Sequence, residues 1–334
     1  MSALLFLQKV EALAGLGLDT ARILGLAGLP RERLIDPHGR LPADASFSFW
    51  DAAIRVSGDP AIGLKVGERL RTGALGSFEY LLRNSETLEQ TVERADRFMR
   101  LVDDTARLEL CKDERVAALR IYRMGGYPFP PSDVEALFSA AASIYRKALG
   151  GAAFPAVRVR FTHAAPADDR LYAEYFGCPV AFGADGNELE FPAALLEQRA
   201  PGADPSLGLV LEEYTAHLVA QLPTGDPLVS AARGRLLYEL KSGAPSPASV
   251  ARALHMSERT LRRRLQADGT SYQALLEGLR EQLAREYVVH TRDGFEAVAQ
   301  RLAFRDASTF FRAFKRWTGV TPAQYRATHT SARR

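Results

Sequence analysis

One segment of this chain is written twice. SVARALHMSERTLRRRL at 249–265 returns, with altered side chains, as AVAQRLAFRDASTFFRAF at 297–314. Val250 matches Val298, Leu254 matches Leu302 and Met256 matches Phe304, each pair 48 residues apart. Leu261 matches Phe310 and Leu265 matches Phe314, both 49 apart, so the second turn holds one extra residue. Each copy reads as two short amphipathic helices around a turn. In the second copy Phe310, Phe314 and Trp317 share one helical face, and Ser308, Thr309, Arg312, Lys315 and Arg316 the other. Asp306 is placed to cap that helix, Thr318-Gly319 to end it, and Pro322 to open another. Between the copies, 272–289 reads as one long helix with Leu275, Leu279 and Leu283 down one side and Arg280 and Arg285 off it. A duplicated helix-turn-helix with apolar backs and short basic fronts suits insertion into DNA major grooves. A single copy reads also as a solvated surface helix pair; the repeat argues against that.

Charge follows the repeat. Residues 227–334 hold 19 Lys/Arg against 9 Asp/Glu, while the whole chain holds 43 against 40, so the remainder is net acidic. A basic C-terminal third on an acidic remainder points to a polyanion met by the C-terminal part alone. Nearly all of those cations are arginines, which suit phosphate and guanine.

The first two thirds are of another kind. Residues 1–45 read as two or three short helices, followed by an Asp36-Pro37-His38-Gly39 loop. Ser46 fits as the cap of a helix carrying Phe49, Trp50 and Ala53. Residues 74–102 hold two helical stripes, the second opened by a Thr87/Gln90 capping box. The pattern then alternates, and 105–111 and 116–123 around a polar turn predict a β-hairpin. A long helix follows, with Ser132 and Glu135 as a second capping box, and ends at Gly150-Gly151. A strand at 156–163, a short helix at 167–176 and a second hairpin around Asp185-Gly186 complete the region. Helices and strands in separate blocks predict an α+β effector domain over 1–205. Residues 206–227 form a linker helix and boundary, the boundary itself at 223–227. There Leu207, Leu211, Tyr214, Leu218 and Leu222 read equally as the last helix of the first domain or as a dimer helix. An all-α domain with two helix-turn-helix motifs joined by a long helix is expected over 228–327, and a basic tail over 328–334.

Two runs carry a family resemblance. SERTLRRRL at 257–265 and FFRAFKRWTGVTPAQYR at 310–326 resemble the AraC/XylS family of bacterial transcription regulators, over about 228–327. The resemblance implies a seven-helix domain whose two helix-turn-helix units enter successive major grooves on one face of DNA. It implies promoter DNA and RNA polymerase as partners, activation rather than repression, and a plausible homodimer. One departure is visible: the family commonly has Gly-Phe in the second turn, where this chain has Ala303-Phe304. If the position needs φ > 0, alanine costs about 1 kcal/mol there. In the first half LGSF at 75–78, RFTH at 160–163, FGCPV at 176–180 and FPAALL at 191–196 are similar to one subgroup's N-terminal domain. That domain is labelled arabinose-binding-like, and the subgroup contains ornithine-utilisation and virulence regulators. The label does not make arabinose the ligand. It implies a small-molecule effector.

By position in the repeat, the predicted DNA contacts are Ser257, Arg259, Thr260, Arg262 and Arg263 in the first copy. In the second they are Ser308, Thr309, Phe311, Arg312 and Lys315. An arginine here either reads guanine O6 and N7 or holds phosphate. Phe311 either touches thymine methyls or packs at the domain edge. Phe78, Tyr80, Arg97, Arg120 and Tyr122 are the candidate effector contacts, against the plainer reading as core or surface residues.

Catalytic signals are lacking. Cys111 and Cys178 form no CxxC pair, which excludes a finger-type zinc site, and both read as core thiols. There is no His/Cys/Asp/Glu cluster at metal spacing, no GxSxG elbow and no phosphate-binding glycine loop. No cofactor, metal or catalytic residue is therefore expected. No run of 18 apolar residues occurs, and the apolar start has no basic region before it, so a cytoplasmic protein is expected. The reading is a ligand-responsive, sequence-specific transcription regulator. The alternatives are an N-terminal domain that senses a protein partner, or an enzyme domain fused to a DNA-binding one; the two cysteines fit neither a nucleophile turn nor a zinc cluster.

Overall fold

The computed structural model describes every residue except 37, 38, 43, 44, 72, 74, 149–152, 201, 223–226, 243, 244, 292 and 332–334. Most of the expected boundary at 223–227, the Pro37-His38 turn, the Gly150-Gly151 helix end and the end of the basic tail lie outside the described residues. The chain divides into two compact units, Met1–Arg123 with Pro128–Thr224, and Met124–Tyr127 with Gly225–Arg334.

The first unit is α+β. It opens with helices α1 (Ala3–Gly15), α2 (Thr20–Ala27), α3 (Ala45–Ser57), α4 (Ile62–Arg69), α5 (Ser77–Arg83) and α6 (Leu88–Arg97). Then come β1 (Ala106–Lys112), β2 (Val116–Arg123), α7 (Pro131–Ala148), β3 (Arg158–Arg160), α8 (Arg170–Phe176), β4 (Val180–Ala181), β5 (Asn187–Pro192) and α9 (Pro205–Gln221). The first predicted hairpin forms, with Leu110 opposite Leu119. Strand order is β1-β2-β5-β3-β4. The second predicted hairpin does not form. β3 slots between β4 and β5, with Val159 opposite Val180 in parallel and opposite Leu189 in antiparallel register. Turn chemistry at Asp185-Gly186 reverses the chain, but it cannot decide which strand becomes the neighbour. Leu108, Ile121, Val159 and Leu189 bury the inner sheet face, while Glu109, Arg120 and Tyr122 stand on the outer one.

Two apolar clusters meet at the packing of α4 on α7. Phe6, Phe49 and Trp50 anchor one, and Phe78, Phe138 and Phe161 the other. The helices approach closely because Gly63 and Gly67 carry no side chain. A Cβ there would lie 2.6 Å from the Ser132 carbonyl and 2.2 Å from that of Ala136. Two predicted caps are corrected at this junction. Ser46 lies inside the first turn of α3, and its hydroxyl donates to Asp133 at 2.5 Å. Ser132 lies inside α7, and Glu135 is buried, accepting from the Tyr172 hydroxyl at 2.7 Å. Burial pushes the Glu135 carboxyl up to about 7. Buried Asp133 also takes Lys9 at 2.5 Å and the Trp50 indole at 2.6 Å. Burial alone would raise its carboxyl; Lys9 and Arg123 hold it below the usual range.

Helix α9 belongs to this first unit. Asp204 caps it, Gly208 lies against the Asn84 carbonyl, and Glu212 pairs with Arg94 (2.9 Å) and with Arg97. Its outer side leaves Leu207, Val210 and Tyr214 exposed.

The second unit is all helical: α10 (Pro227–Ser242), α11 (Pro247–Ala253), α12 (Glu258–Ala267), α13 (Tyr272–His290), α14 (Phe295–Arg301), α15 (Ala307–Thr318) and α16 (Pro322–Ser331). Helix α13 is the spine. Its Leu276, Leu279, Leu283, Ala284 and Val288 are buried, and α10, α14, α15 and α16 all pack on it. The repeat thus becomes two helix pairs, α11–α12 and α14–α15, joined by one long helix.

Candidate nucleic-acid interface

The two turns are the same object. His255 and Ala303, 48 residues apart, have φ of 54° and 53°, the described non-glycine residues in the left-handed region. In the first turn the Met256 N–H donates to the Ala251 carbonyl at 3.0 Å and the His255 N–H to Arg252 at 3.0 Å. In the second, Phe304 donates to Ala299 at 3.0 Å and Ala303 to Gln300 at 2.9 Å. This is a Schellman closure of α11 and of α14, usually made with glycine. The position does need φ > 0, and alanine occupies it. In the second turn Arg280 supplies a clamp. Its Nε donates to the Leu302 carbonyl at 2.9 Å, its Nη2 to the Ala303 carbonyl at 2.5 Å, and its guanidinium lies 4.6 Å from the Phe304 ring centre. Burial lowers the Arg280 pKa.

After each turn a cap sets the recognition helix. Ser257 Oγ accepts from the Thr260 N–H at 3.2 Å and lies 3.0 Å from the Thr260 hydroxyl. Asp306 Oδ1 accepts from the Thr309 N–H at 2.7 Å. The bond from that N–H holds the Asp306 carboxyl below its ordinary value. The extra residue between turn and cap in the second copy is Arg305. From cap onward the copies align 49 apart. Leu261 and Leu265 on α12, and Phe310, Ala313 and Phe314 on α15, are buried against the unit's core.

At about 100° per residue, burying those positions turns the opposite side outward. On α12 that side carries Arg259, Arg263 and Gln266, all exposed, with Arg262 on one flank and half-buried Thr260 on the other. On α15 it carries Ser308, Arg312 and Lys315, all exposed, with Phe311 and Thr309 on the flanks, both half-buried. Phe311 packs edge-on against Phe295 (ring centres 5.5 Å) and Phe310 (5.9 Å). The predicted contacts thus fall into two equivalent sets, one per module. Gln266 escaped sequence reading, although it sits 49 residues before Lys315.

Many of the arginines serve the fold instead. Arg280 holds carbonyls at the end of α14, Arg285 that of Trp317 near the end of α15 (3.2 Å), and Arg326 that of Val288 near the end of α13 (2.7 Å). Cations at helix C-termini satisfy orphan carbonyls and the helix dipole. Arg316, drawn by sequence onto the polar front, pairs with Glu277, which also accepts from the Trp317 indole at 3.1 Å. Arg259, Arg262, Arg263, Arg312 and Lys315 have no carboxylate partner among the described residues, and Arg312 reaches only the Thr309 hydroxyl (3.4 Å). Five cations without a carboxylate partner among the described residues therefore lie on the two outward faces.

The candidate effector residues are dispersed. Phe78 is in the core on the inner side of the sheet. Arg97 pairs with Glu212 and lies over Phe98. Arg120 pairs with Glu188 (2.6 Å) and Glu109 (3.6 Å) on the outer sheet face, beside exposed Tyr122; Tyr80 is exposed on α5. Apolar context in sequence did not separate the two faces of a strand, so these five do not line one pocket.

A double helix-turn-helix on a single spine, with uncompensated cations on both second helices, is the fold of a DNA-reading regulator. Residues 17–200 match the family model of the arabinose-binding N-terminal domain of AraC transcription regulators, and 250–328 a helix-turn-helix domain model. The chain belongs to the AraC family, as a DNA-binding transcription regulator with a ligand-binding N-terminal domain. It is 33% identical to the ornithine utilization regulator of Pseudomonas aeruginosa over 319 residues, covering 95% of this chain and 93% of that protein. It is 30% identical to the transcriptional regulator VirS of Mycobacterium tuberculosis over 325 residues, covering 92% and 93%. Among solved structures it is similar to the transcriptional regulator CdpR of P. aeruginosa, at 27% identity and a TM-score of 0.43, covering 92% of this chain and 96% of that one. No helix among the described residues is long and apolar enough to cross a membrane.

Proposed function

We propose that residues 228–327 bind promoter DNA through Ser257, Arg259, Thr260, Arg262 and Arg263 of the first module and Ser308, Thr309, Phe311, Arg312 and Lys315 of the second. The observation that carries this is the pair of equivalent outward faces, on which Arg259, Arg262, Arg263, Arg312 and Lys315 have no carboxylate partner among the described residues. Residues 1–205 hold a small-molecule effector, 206–227 connect the two parts, and 328–334 form a basic tail. Binding shifts the population of a DNA-competent arrangement, and the protein then recruits RNA polymerase as an activator in the cytoplasm, without catalysis of its own. A homodimer places two such readers on one promoter. Exposed Leu207, Val210 and Tyr214, at i, i+3 and i+7 along α9, support a helix-to-helix contact between copies.

Binding of the full chain to its own upstream DNA, followed by anisotropy over a salt series, tests the DNA reading. The expected affinity is about 10⁻⁸ M or tighter, falling steeply with salt. Equal affinity for unrelated DNA at every salt concentration would sink it. For the effector, a thermal-shift panel starts with amino acids, because one relative is named for ornithine utilisation. A ligand at a hundred times its Kd adds about 2.7 kcal/mol of stability.

A further inference from the structure

The two outward faces are built on the same frame but differ in chemistry, and that difference constrains the DNA. The position of Arg259 in the first module is Ser308 in the second, Arg262 is Phe311, and Gln266 is Lys315; Arg263 keeps its type, as Arg312, and so does Thr260, as Thr309. The first module therefore turns out two exposed guanidinium forks at the centre of its face, Arg259 and Arg263, one helical turn apart, with a third, Arg262, on the flank, none with a carboxylate partner among the described residues. A fork of this kind matches guanine O6 and N7. The second module has one fork, Arg312, which touches the Thr309 hydroxyl, and beside it the Phe311 ring. That ring is fixed from behind by Phe295 and Phe310, so its half-exposed side is presented in one orientation on the flank of the reading face. An immobilised apolar group at a major-groove edge fits the thymine C5 methyl, which adenine, guanine and unmodified cytosine lack.

We propose that Phe311 sets a thymine requirement in the half read by the second module, while Arg259 and Arg263 select guanine in the half read by the first. This rests on the DNA reading above. The residues and their order on the helices give the polarity: along the chain the arginine-rich reader comes first, so each protomer's site runs from a guanine half to a thymine half.

The test is selection of bound duplexes from a random library with the full-length protein, followed by thymine-to-uracil replacement in the enriched site. Uracil lacks only the methyl group. We expect enrichment of sites with guanines in one half and a required thymine in the other, one helical turn away. Replacing that thymine by uracil should weaken binding about threefold to fivefold, the worth of one buried methyl. Arg263→Ala should reduce the guanine preference at one position by tenfold or more and leave the thymine preference intact. The uracil experiment uses the wild-type protein, so it does not depend on a Phe311 variant folding. Two guanine-bearing halves, or uracil binding as well as thymine, would overturn this assignment and leave the DNA reading standing. Failure to enrich any sequence would overturn both.

Discussion

The two helix-turn-helix modules share a backbone but fill most of its key positions with different side chains. Both close the first helix with a left-handed residue, both cap the second with a side chain that accepts from the third N–H, and both bury two large side chains behind it. The first module fills these roles with His255, Ser257, Leu261 and Leu265. The second uses Ala303, Asp306, Phe310 and Phe314, with Arg280 reaching across from the spine helix to hold the turn. Backbone geometry is thus met by quite different chemistry. The side chains that differ most between copies are those turned outward. What is repeated is the frame that positions a reader; what is read differs.

Variants in pairs would sharpen or break this comparison. The largest effect is expected in the backs of the recognition helices. Phe310→Ala should cost about 3–5 kcal/mol and Leu261→Ala about 2–5 kcal/mol, read by denaturant unfolding. Both side chains are essentially fully buried. If either variant loses less than 1 kcal/mol, its module is not packed as described.

Arg280→Ala comes next. It removes the two charge-assisted bonds and the ring contact that hold the second turn, and should cost about 2–3 kcal/mol. Hydrogen exchange should show the loss in α14 and α15 and much less in α11 and α12. Equal loosening of both modules would contradict the assignment of Arg280 to the second turn.

The caps differ in kind. Ser257→Ala should cost about 1 kcal/mol at any pH. Asp306→Ala should lower Tm only where the carboxylate is ionised. Its folded pKa lies below the usual value, so its contribution is complete above the ordinary carboxylate pKa and disappears as pH falls through the folded one. A Tm difference for Asp306→Ala that persists unchanged at pH 2 would refute this.

The smallest effect concerns the turns, and it is a gain. Ala303→Gly and His255→Gly each relieve a left-handed residue and should add about 1 kcal/mol. The gain at Ala303 should be readable by thermal melts with DNA affinity unchanged. Loss of stability on either substitution would mean that the side chain contributes more than the strain.

Sequence reading succeeded where a short-range rule governs. The periodicity of Phe310, Phe314 and Trp317, the Asp306 cap, the Gly319 stop and the hairpin of β1 and β2, whose ends Ala106 and Arg123 are 17 residues apart, all follow from short-range spacing. It failed where the partner is far along the chain. Ser46 and Asp133 are 87 residues apart, Glu135 and Tyr172 are 37 apart, and Arg280 lies 22 residues before the carbonyl it holds. Ser132 and Glu135 have the letters of a capping box, yet burial against α8 took the glutamate away from the backbone. The candidate effector residues are dispersed by the fold for a related reason. Alternation along β2 says that neighbours face opposite ways, but not which face is covered.

The sequence by itself determined that this chain carries two copies of a DNA-reading unit behind an α+β domain, because a repeat of buried positions at helical spacing admits few folds. It also determined the family, since those positions carry its motifs. Only the tertiary structure separated arginines that close helix ends from arginines that face outward. Both kinds look alike in a basic stretch. They are distinguished by whether a carbonyl or carboxylate from another helix comes within hydrogen-bonding distance, and that depends on how α13, α14, α15 and α16 pack.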